Sequence, residues 1–388
     1  MRRCHGLLLV LAGAEMFAAE SGGIRLDAPQ EALADGSQSL ATVSLSGQDP
    51  KSRADLVGAP IPFYNPALGA GLGGFLGYLF PLDRTDRVSP PSAIGLGGFA
   101  TDNGSWGVVA GHVGYADQDS RRWTVVSGYS ELTYRYYGTG YEEGASNQEI
   151  AIDQQISFGL VEGLWRVAPN WYVGPRAMVS HSEASLHHSA QTGNAVIDDF
   201  LNQDLVSTAI SPGIHLQFDS RDSTFSPGTG SLLDVVVMVS PQALGSTTSY
   251  SATKMAANHY LRLTPSQVLA LRVAGKYASD DAPFYVLPTA GGTEGLRGYV
   301  PGQYRDHLLV SGQGEWRWMM FRSLGLTAFA GVAAVGEDVR ALNDHPLLPA
   351  GGAGLLWRLS DTFPISMRLD GAWGRDSQTI YFSVGEAF

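Results

Sequence analysis

Between residues 62 and 388 the sequence alternates apolar with small or polar residues, and this period of two constrains the fold more than any other feature. Near the end, Ile380, Phe382 and Val384 share one face of an extended chain, and Tyr381 and Ser383 share the other. The alternating runs are roughly 10–16 residues long, which is long for a soluble sandwich and suits strands that cross a membrane at a tilt. The pattern predicts an all-β fold, a transmembrane antiparallel β-barrel whose apolar face meets lipid and whose small or polar face lines a lumen.

The composition excludes several classes of protein. With 25 basic and 37 acidic residues the net charge is −12, so a basic nucleic-acid-binding surface is not expected. Only 16% of the residues are charged, whereas 48 are glycine, a combination that fits a β protein with many turns better than a disordered chain.

The first residues are typical of an export signal, because Arg2 and Arg3 precede a short apolar run and then small residues. We therefore interpret residues 1–19 as a signal peptide, residues 20–62 as a flexible periplasmic segment and residues 63–388 as one barrel domain. The only cysteine, Cys4, lies in the signal, so the mature chain has no thiol for a disulfide, a zinc site or nucleophilic catalysis. No later stretch has the roughly 18 apolar residues that a membrane helix needs.

Aromatic residues and the alternation of short and long connections also favour a barrel in the outer membrane of a Gram-negative bacterium. We expect this barrel to be a monomer that contacts outer-membrane lipid. Aromatic side chains cluster near the expected strand ends, as interfacial girdles require: Trp106, Trp123, Tyr134, Tyr136, Trp165, Trp171, Tyr172, Trp316, Trp318 and Trp373. The pattern delimits fifteen candidate strands, of which the first covers residues 66–80. Because single-chain bacterial barrels have an even number of strands, we expect sixteen, with one strand overlooked before Gly140.

One connection stands out by its composition. Residues 291–299 read Gly-Gly-Thr-Glu-Gly-Leu-Arg-Gly-Tyr and lie between two strand-like segments. A guanidinium cannot face lipid without a large free-energy cost, so Arg297 should turn inward and find a carboxylate in the lumen. The sequence therefore predicts an outer loop that folds into the barrel.

Three motifs follow one another along the second half of the chain. The first comprises Asp219, Arg221, Asp222, Pro227 and Gly230. The second comprises Gly295, Leu296, Arg297, Gly298 and Tyr299. The third is the strand segment 313–318, Gln-Gly-Glu-Trp-Arg-Trp, which contains Glu315. In this order the motifs resemble those of the bacterial surface antigen family, the barrel of BamA/TamA-type assembly factors and of two-partner-secretion transporters. The first resembles the family's periplasmic turn, and the second matches the signature of its sixth outer loop. The third is similar to the strand just after that loop. The chain's ending, with Phe382, Gly385 and Phe388, is similar to the C-terminal signal of the family.

The resemblance implies a sixteen-stranded barrel in which Arg297 pairs with Glu315 inside the lumen. It also implies assembly or translocation of outer-membrane or secreted proteins, with unfolded client proteins or a separate periplasmic partner as binding partners. The sequence departs from the family in two places. Where the family often has an aspartate on the strand after that of Glu315, residues 329–333 read Phe-Ala-Gly-Val-Ala, so Glu315 is expected to be the only inherited partner of Arg297. Residues 20–62 are also too few for the periplasmic modules that many members carry.

Other constellations carry no recognisable chemistry. His181, Glu183, His187 and His188 lie at the start of a polar loop without the spacing of a metal site, so we expect solvated residues and no metal. The sequence contains no supported Ser/His/Asp arrangement and indicates neither a cofactor nor an enzyme. Besides an assembly or translocation barrel, two alternatives stay open: a passive outer-membrane pore and a structural surface antigen without transport activity.

Overall fold

The computed structural model describes residues 55–65, 67–86, 88–187, 195–223, 226–292, 295–358, 366–384 and 386–388. The expected signal peptide, residues 1–19, and residues 20–54 of the expected periplasmic segment lie outside this part of the chain. The described residues form one closed barrel of sixteen antiparallel strands, which confirms the predicted fold class.

Neighbouring barrel strands follow one another along the chain, and the last strand closes onto the first. The barrel strands are β1 (Asp55–Asn65), β2 (Gly69–Phe80), β3 (Ser92–Thr101), β4 (Trp106–Ala116), β5 (Arg121–Tyr136), β6 (Ile150–Ala168), β7 (Trp171–Leu186), β8 (Val206–Asp219), β9 (Gly230–Ser240), β10 (Tyr250–Thr264), β11 (Gln267–Ala278), β14 (Leu308–Met319), β15 (Leu324–Gly336), β16 (Leu348–Arg358), β17 (Ser366–Trp373) and β18 (Gln378–Val384). Two short strands, β12 (Thr289–Ala290) and β13 (Tyr304–Arg305), pair with each other inside the β11–β14 connection.

The strand that the sequence pattern overlooked is β1, and it lies before Gly140 as expected. It begins at Asp55, so residues 55–62, which we assigned to the N-terminal segment, belong to the barrel. The cause of the error is Pro60 and Pro62, because prolines donate no hydrogen bond and argue against a strand. Both prolines fit because their continuous pairing with β2 places their imide nitrogens on the opposite edge of β1, toward β18.

Alternation along each strand separates a lumen face from an outer face. On β11, Leu271 and Val273 are 40% and 60% exposed, whereas Ala270 and Ala274 are buried inside. Exposed large apolar residues recur in this way around the barrel, as expected for a wall that contacts lipid. No helix among the described residues is long and apolar enough to cross a membrane.

Most long connections lie at one end of the barrel, and together they form a cap. The cap consists of helix α1 (Tyr141–Ser146), helix α2 (Ala195–Leu201) and residues 279–307, which we name the inserted loop. The sequence pattern did not predict α1 or α2, because helices of six and seven residues are too short to show a helical period. They pack through aromatic contacts, since Tyr136 and Phe284 each lie against Phe200 of α2, at 5.4 and 5.7 Å between ring centroids.

The junction of β1 with β18, which we name the seam, is paired far less than the other strand junctions. Within the described residues the seam contains the single pair Tyr64–Phe382. By contrast, the β17–β18 ladder runs without interruption from Met367–Val384 to Trp373–Gln378. The seam is therefore the weakest line in the barrel wall.

The register of the seam can be tested by cross-linking. Paired residues of an antiparallel ladder lie at Cα separations that a disulfide can span, about 4.5–5.5 Å. We expect cysteines at Tyr64 and Phe382, with Cys4 replaced by serine, to form a disulfide in the folded protein, which a mobility shift on non-reducing gels would detect. Cysteines at Tyr64 and Gln378 serve as the off-register control, and equal cross-linking of both pairs would contradict this register.

Candidate functional site

The inserted loop leaves the capped end of the barrel and turns down into the lumen. Its base is a small hairpin in which Thr289 pairs with Arg305 and Ala290 with Tyr304. Gly291 then reverses the chain with φ 115°, where a Cβ atom would lie 2.8 Å from the Pro301 nitrogen. Only glycine fits this turn, because both the left-handed backbone and the close approach exclude a side chain.

Arg297 lies at the deepest part of the loop, and its side chain is 0% exposed. Its Nη2 atom is 2.7 Å from Oε2 of Glu315 on β14, and its Nη1 donates a hydrogen bond of 2.9 Å to Oδ2 of Asp370 on β17. The guanidinium also stacks over the ring of Phe329, with Cζ 3.6 Å from the ring centroid. The structure thus brings together the two residues that the sequence analysis paired, and it adds a second carboxylate and an aromatic ring.

Two further arginines share the same carboxylates. Arg317 donates from Nε to Oε1 of Glu315 at 2.6 Å. Arg368 donates to both oxygens of Glu315, at 3.0 and 2.8 Å, and to Asp370 at 2.9 Å. Forked guanidinium–carboxylate geometry of this kind is strong and directional. Together with Glu386, these five residues form what we name the lumen cluster, with three arginines and three carboxylates that balance in charge.

Asp370 corrects the expectation that Glu315 would be the only carboxylate for Arg297. The aspartate missing from β15 is replaced by one on β17, two strands further along the wall. Gly354 on the intervening strand makes room for it, because a Cβ there would lie 1.9 Å from Asp370 Oδ1. A sequence signal did exist, since Arg368 and Asp370 place opposite charges on one face of a strand whose other face is apolar.

The last residues of the chain also join the lumen cluster. Glu386 continues the alternation of Ile380, Phe382 and Val384, from which it is expected on their face of the strand, at the periplasmic interface. Instead, β18 ends at Val384, and the Glu386 carboxylate lies 3.3 Å from both Arg317 Nε and Arg368 Nη1. Arg317 Nη2 donates a hydrogen bond of 2.9 Å to the main-chain oxygen of Phe388. Glu386 thus lies beside two buried guanidiniums and adds a third side-chain carboxylate to the lumen cluster. Of the other residues in the expected C-terminal signal, Gly385 and the side chain of Phe382 lie outside the described part.

The remaining motif residues of the inserted loop anchor it to the wall. The Gly298 amide donates to Tyr381 Oη at 3.1 Å. Tyr299 Oη donates to the Pro349 carbonyl at 2.7 Å and accepts from the Arg375 amide at 3.0 Å. Leu296 is buried, and the Gly295 carbonyl accepts a hydrogen bond of 3.1 Å from Gln313. These contacts fix the loop along β14–β18.

The motif that resembles a periplasmic turn lies in the β8–β9 connection, at the end opposite the cap. Arg221 forms a two-pronged pair with Asp219, both bonds being 3.0 Å. Burial would raise the pKa of the Asp222 carboxyl, but hydrogen bonds from the Gly228 and Thr229 amides and from Arg262 outweigh it and hold this pKa below its ordinary value. Pro227 precedes Gly228, and Gly230 begins β9 with φ 101°.

A second polar network on the opposite wall was not predicted from the sequence. Glu162 accepts from Arg176 and lies 2.9 Å from His215, which is also 2.9 Å from Asp234. These residues come from β6 to β9 and meet only in the closed barrel, so no local motif could reveal them. His181 and Glu183 were expected in a loop, but they belong to β7, which runs to Leu186, and the alternation does not mark where the wall ends. On the exposed side of this strand His181 contacts Glu183 and Thr208, and just after it His187 contacts Asp153. His188 is not described, and within the described residues no group of His, Cys, Asp and Glu side chains is arranged to hold a metal.

A sixteen-stranded barrel with an arginine loop held in its lumen defines a class of outer-membrane proteins, and sequence comparison agrees with this class. The profile of the Omp85 superfamily domain matches residues 115–388, and the chain belongs to this superfamily. No curated protein sequence matches the chain. Membership together with the fold locates the barrel in the outer membrane of a Gram-negative bacterium.

Solved structures of similar fold include BamA from Haemophilus ducreyi lacking POTRA domains 1–3, at 15% identity and a TM-score of 0.57. The match covers 86% of this chain and 70% of that chain. CdiB from Escherichia coli is similar at 12% identity and a TM-score of 0.58, over 86% of this chain and 63% of that chain. CdiB from Acinetobacter baumannii follows at 10% and 0.54, over 85% and 59%. The chain thus spans less than two thirds of either CdiB chain, and at these identities the likeness concerns the fold alone.

The charge balance of the lumen cluster predicts which substitutions destabilise the barrel most. We expect Arg297→Ala to cost about 3 kcal/mol and Glu315→Ala more, because Glu315 serves three arginines and its loss leaves a buried excess of positive charge. The double variant restores the balance, so its cost should fall short of the sum by about 1–3 kcal/mol. The midpoint of the heat-induced mobility shift and the rate of protease cleavage in residues 279–307 would measure these effects.

Arg340→Ala is a suitable control for that series, because Arg340 is an exposed arginine in another connection of the capped end. It should leave both the midpoint and the cleavage rate unchanged. Strictly additive losses in the Arg297/Glu315 pair would mean that the two residues do not share an interaction.

The stability of the turn that contains Asp222 should decrease at acidic pH. Because the folded pKa of Asp222 is depressed, its contribution to stability is complete above the unfolded value of about 3.9 and disappears as the pH falls through the folded value. Asp222→Asn should therefore weaken the turn at pH 7, by about 0.5–1 kcal/mol for this partly exposed pair, and should match the wild type at strongly acidic pH. Cleavage of residues 220–229 by an acid-tolerant protease, followed against pH, would check this, and a pH-independent difference would exclude the mechanism.

Proposed function

We propose that this protein is an assembly or translocation barrel of the outer membrane, in which the seam opens for client polypeptides while the inserted loop keeps the lumen closed. The observation that carries the proposal is the weak seam, where a single residue pair is found among the described residues, whereas the neighbouring β17–β18 ladder is continuous. Membership of the Omp85 superfamily and a fold similar to BamA and CdiB support it. Unfolded outer-membrane or secreted proteins are the proposed clients, and a separate periplasmic partner is proposed to deliver them.

The weakness of the seam originates in the sequence of β1. Pro60 and Pro62 present imide nitrogens toward β18, so two positions of this edge donate no hydrogen bond. On the other side, β18 ends at Val384, and the Glu386 carboxylate contacts Arg368 in the lumen. Both edges of the seam therefore keep unpaired backbone groups, and unpaired edges are templates for the strands of another chain.

The lumen itself argues against the passive pore. Arg297 and Glu315 are fully buried under the inserted loop, which contacts the wall from β14 to β18. A permanent aqueous channel along this wall would expose the lumen cluster to water. Small or absent conductance is therefore expected of the resting barrel.

The lumen cluster also connects the loop to the seam. Arg368 contacts Glu315 beneath the loop and Glu386 beyond β18 through the same Nη1 atom, at 3.0 and 3.3 Å. Release of the chain after β18 would leave Arg368 and Arg317 with one carboxylate fewer. Loop position and seam opening are thus proposed to be energetically coupled, in the sense that each arrangement stabilises the other.

The test compares a closed seam with an open one in the same protein. Cysteines at Tyr64 and Phe382 lock the seam when oxidised and release it when reduced. We expect the reduced protein in liposomes to accelerate the folding of an added outer-membrane protein, and the oxidised protein to lose this acceleration. A matched disulfide between Leu269 and Trp316, which pair across β11 and β14, should have no effect in either state.

Equal acceleration in both redox states would reject the seam as the route. A stable large conductance of the purified barrel, without any effect on client folding, would favour the passive pore. The absence of both activities would favour the structural surface antigen.

A further inference from the structure

Arg305 is a buried arginine that the lumen cluster does not use. It lies on β13 at the base of the inserted loop, beneath the cap, and is 1% exposed. Its backbone is held on both sides, because β13 pairs with β12 and the Arg305 carbonyl accepts a hydrogen bond of 2.8 Å from the Gly140 amide. The position of the side chain is therefore set by the fold and not by a mobile connection.

The electrostatic surroundings of Arg305 differ from those of the other fully buried arginines. Arg297 and Arg368 each contact two or more carboxylates. In the part of the chain that the structure describes, the Arg305 guanidinium forms no hydrogen bond or ion pair with the protein, and its Nε and Nη1 atoms are buried without a partner. A buried ion normally has a counter-charge or neutralises, and arginine does not release its proton.

The acidic groups around Arg305 are occupied elsewhere. Asp199 of α2 accepts a hydrogen bond of 2.6 Å from Tyr136 Oη. Asp306, the next residue in the chain, accepts one of 2.8 Å from the His307 amide. Neither carboxylate lies within ion-pair distance of the guanidinium, so the protein supplies this cation with no partner of opposite charge from these groups.

Aromatic rings lie near the Arg305 guanidinium, but they provide no acceptor atom for its N–H groups. Its Cζ atom lies 5.2 Å from the Tyr136 centroid and 5.5 Å from the Phe284 centroid. Ring faces attract the cation, but the N–H donors of a guanidinium lie in its plane and require an acceptor atom. Because Arg305 is 1% exposed, an acceptor that reaches its guanidinium is small and, among aromatic rings, weakly hydrated.

We propose that Arg305 binds a small monovalent anion of the halide class beneath the cap, and that this anion stabilises the closed arrangement of the inserted loop. The anion supplies the in-plane acceptor and the counter-charge that the described residues do not. This inference concerns the cap and stands independently of the seam and of client transport.

The experiment uses the purified full barrel in detergent micelles and replaces sodium gluconate with sodium chloride at constant ionic strength. We expect chloride to raise the midpoint of thermal unfolding by about 2 °C or more, because an anion that binds the folded protein stabilises it. It should also slow protease cleavage in residues 279–307. Chloride NMR signals should broaden more in the presence of the wild-type barrel than in the presence of the Arg305→Gln barrel.

Arg305→Gln should abolish the chloride response, whereas Arg340→Gln, which removes an exposed arginine from the same end of the barrel, should retain it. Arg305→Lys keeps the charge and should retain part of the response, which covers the case in which the glutamine variant fails to fold. The proposal is overturned if the wild type responds equally to chloride and gluconate. It is also overturned if Arg305→Gln keeps the full chloride response, since the anion would then act elsewhere.

Discussion

The burial of Arg297 between Glu315 and Asp370 is the interaction on which the rest of this barrel depends. A guanidinium and two carboxylates removed from water are stable only if each finds its partners in good geometry. This requirement fixes the depth of the inserted loop, because Arg297 contacts Glu315 of β14 and Asp370 of β17 at the same time. The loop then fixes the cap above it, through the hairpin of β12 and β13 and its contact with α1. Buried ion networks of this type specify an arrangement more than they add net stability.

The same network includes the end of the chain. Glu386 lies beside Arg317 and Arg368, so the lumen cluster holds three arginines and three side-chain carboxylates. The seam is weakly paired where β18 ends at Val384 and where Pro60 and Pro62 limit the hydrogen bonds of β1. The residue that completes the charge balance in the lumen thus follows closely after the strand that forms one edge of the seam. Our proposal of a client-transporting barrel uses both, the first to close the lumen and the second to open the wall.

The sequence predicted the fold class well, because alternation and turn composition are local signals that each strand carries by itself. It overlooked β1, because Pro60 and Pro62 argue against a strand. Prolines are tolerated only where the strand edge needs no hydrogen-bond donor, and the sequence does not show that β1 has such an edge. It named Arg297 and Glu315 from an ordered set of motifs, and the structure places these two side chains 2.7 Å apart. Asp370, Arg368 and the inward Glu386 were missed because they meet only after β14 to β18 have assembled. The same holds for Arg305, which has no carboxylate partner among the residues that the structure describes, a property that shows only when its neighbours in space are known.

Amide hydrogen exchange of the inserted loop in lipid nanodiscs tests the central claim most directly. If Arg297 is held in the lumen cluster, the amides of residues 295–299 should exchange as slowly as those of β14, although they belong to a glycine-rich connection. In Arg297→Ala the same amides should exchange at the rate of an open loop while β14 stays protected. Fast exchange of residues 295–299 in the wild-type barrel would contradict the account, because the loop would then occupy the lumen only transiently.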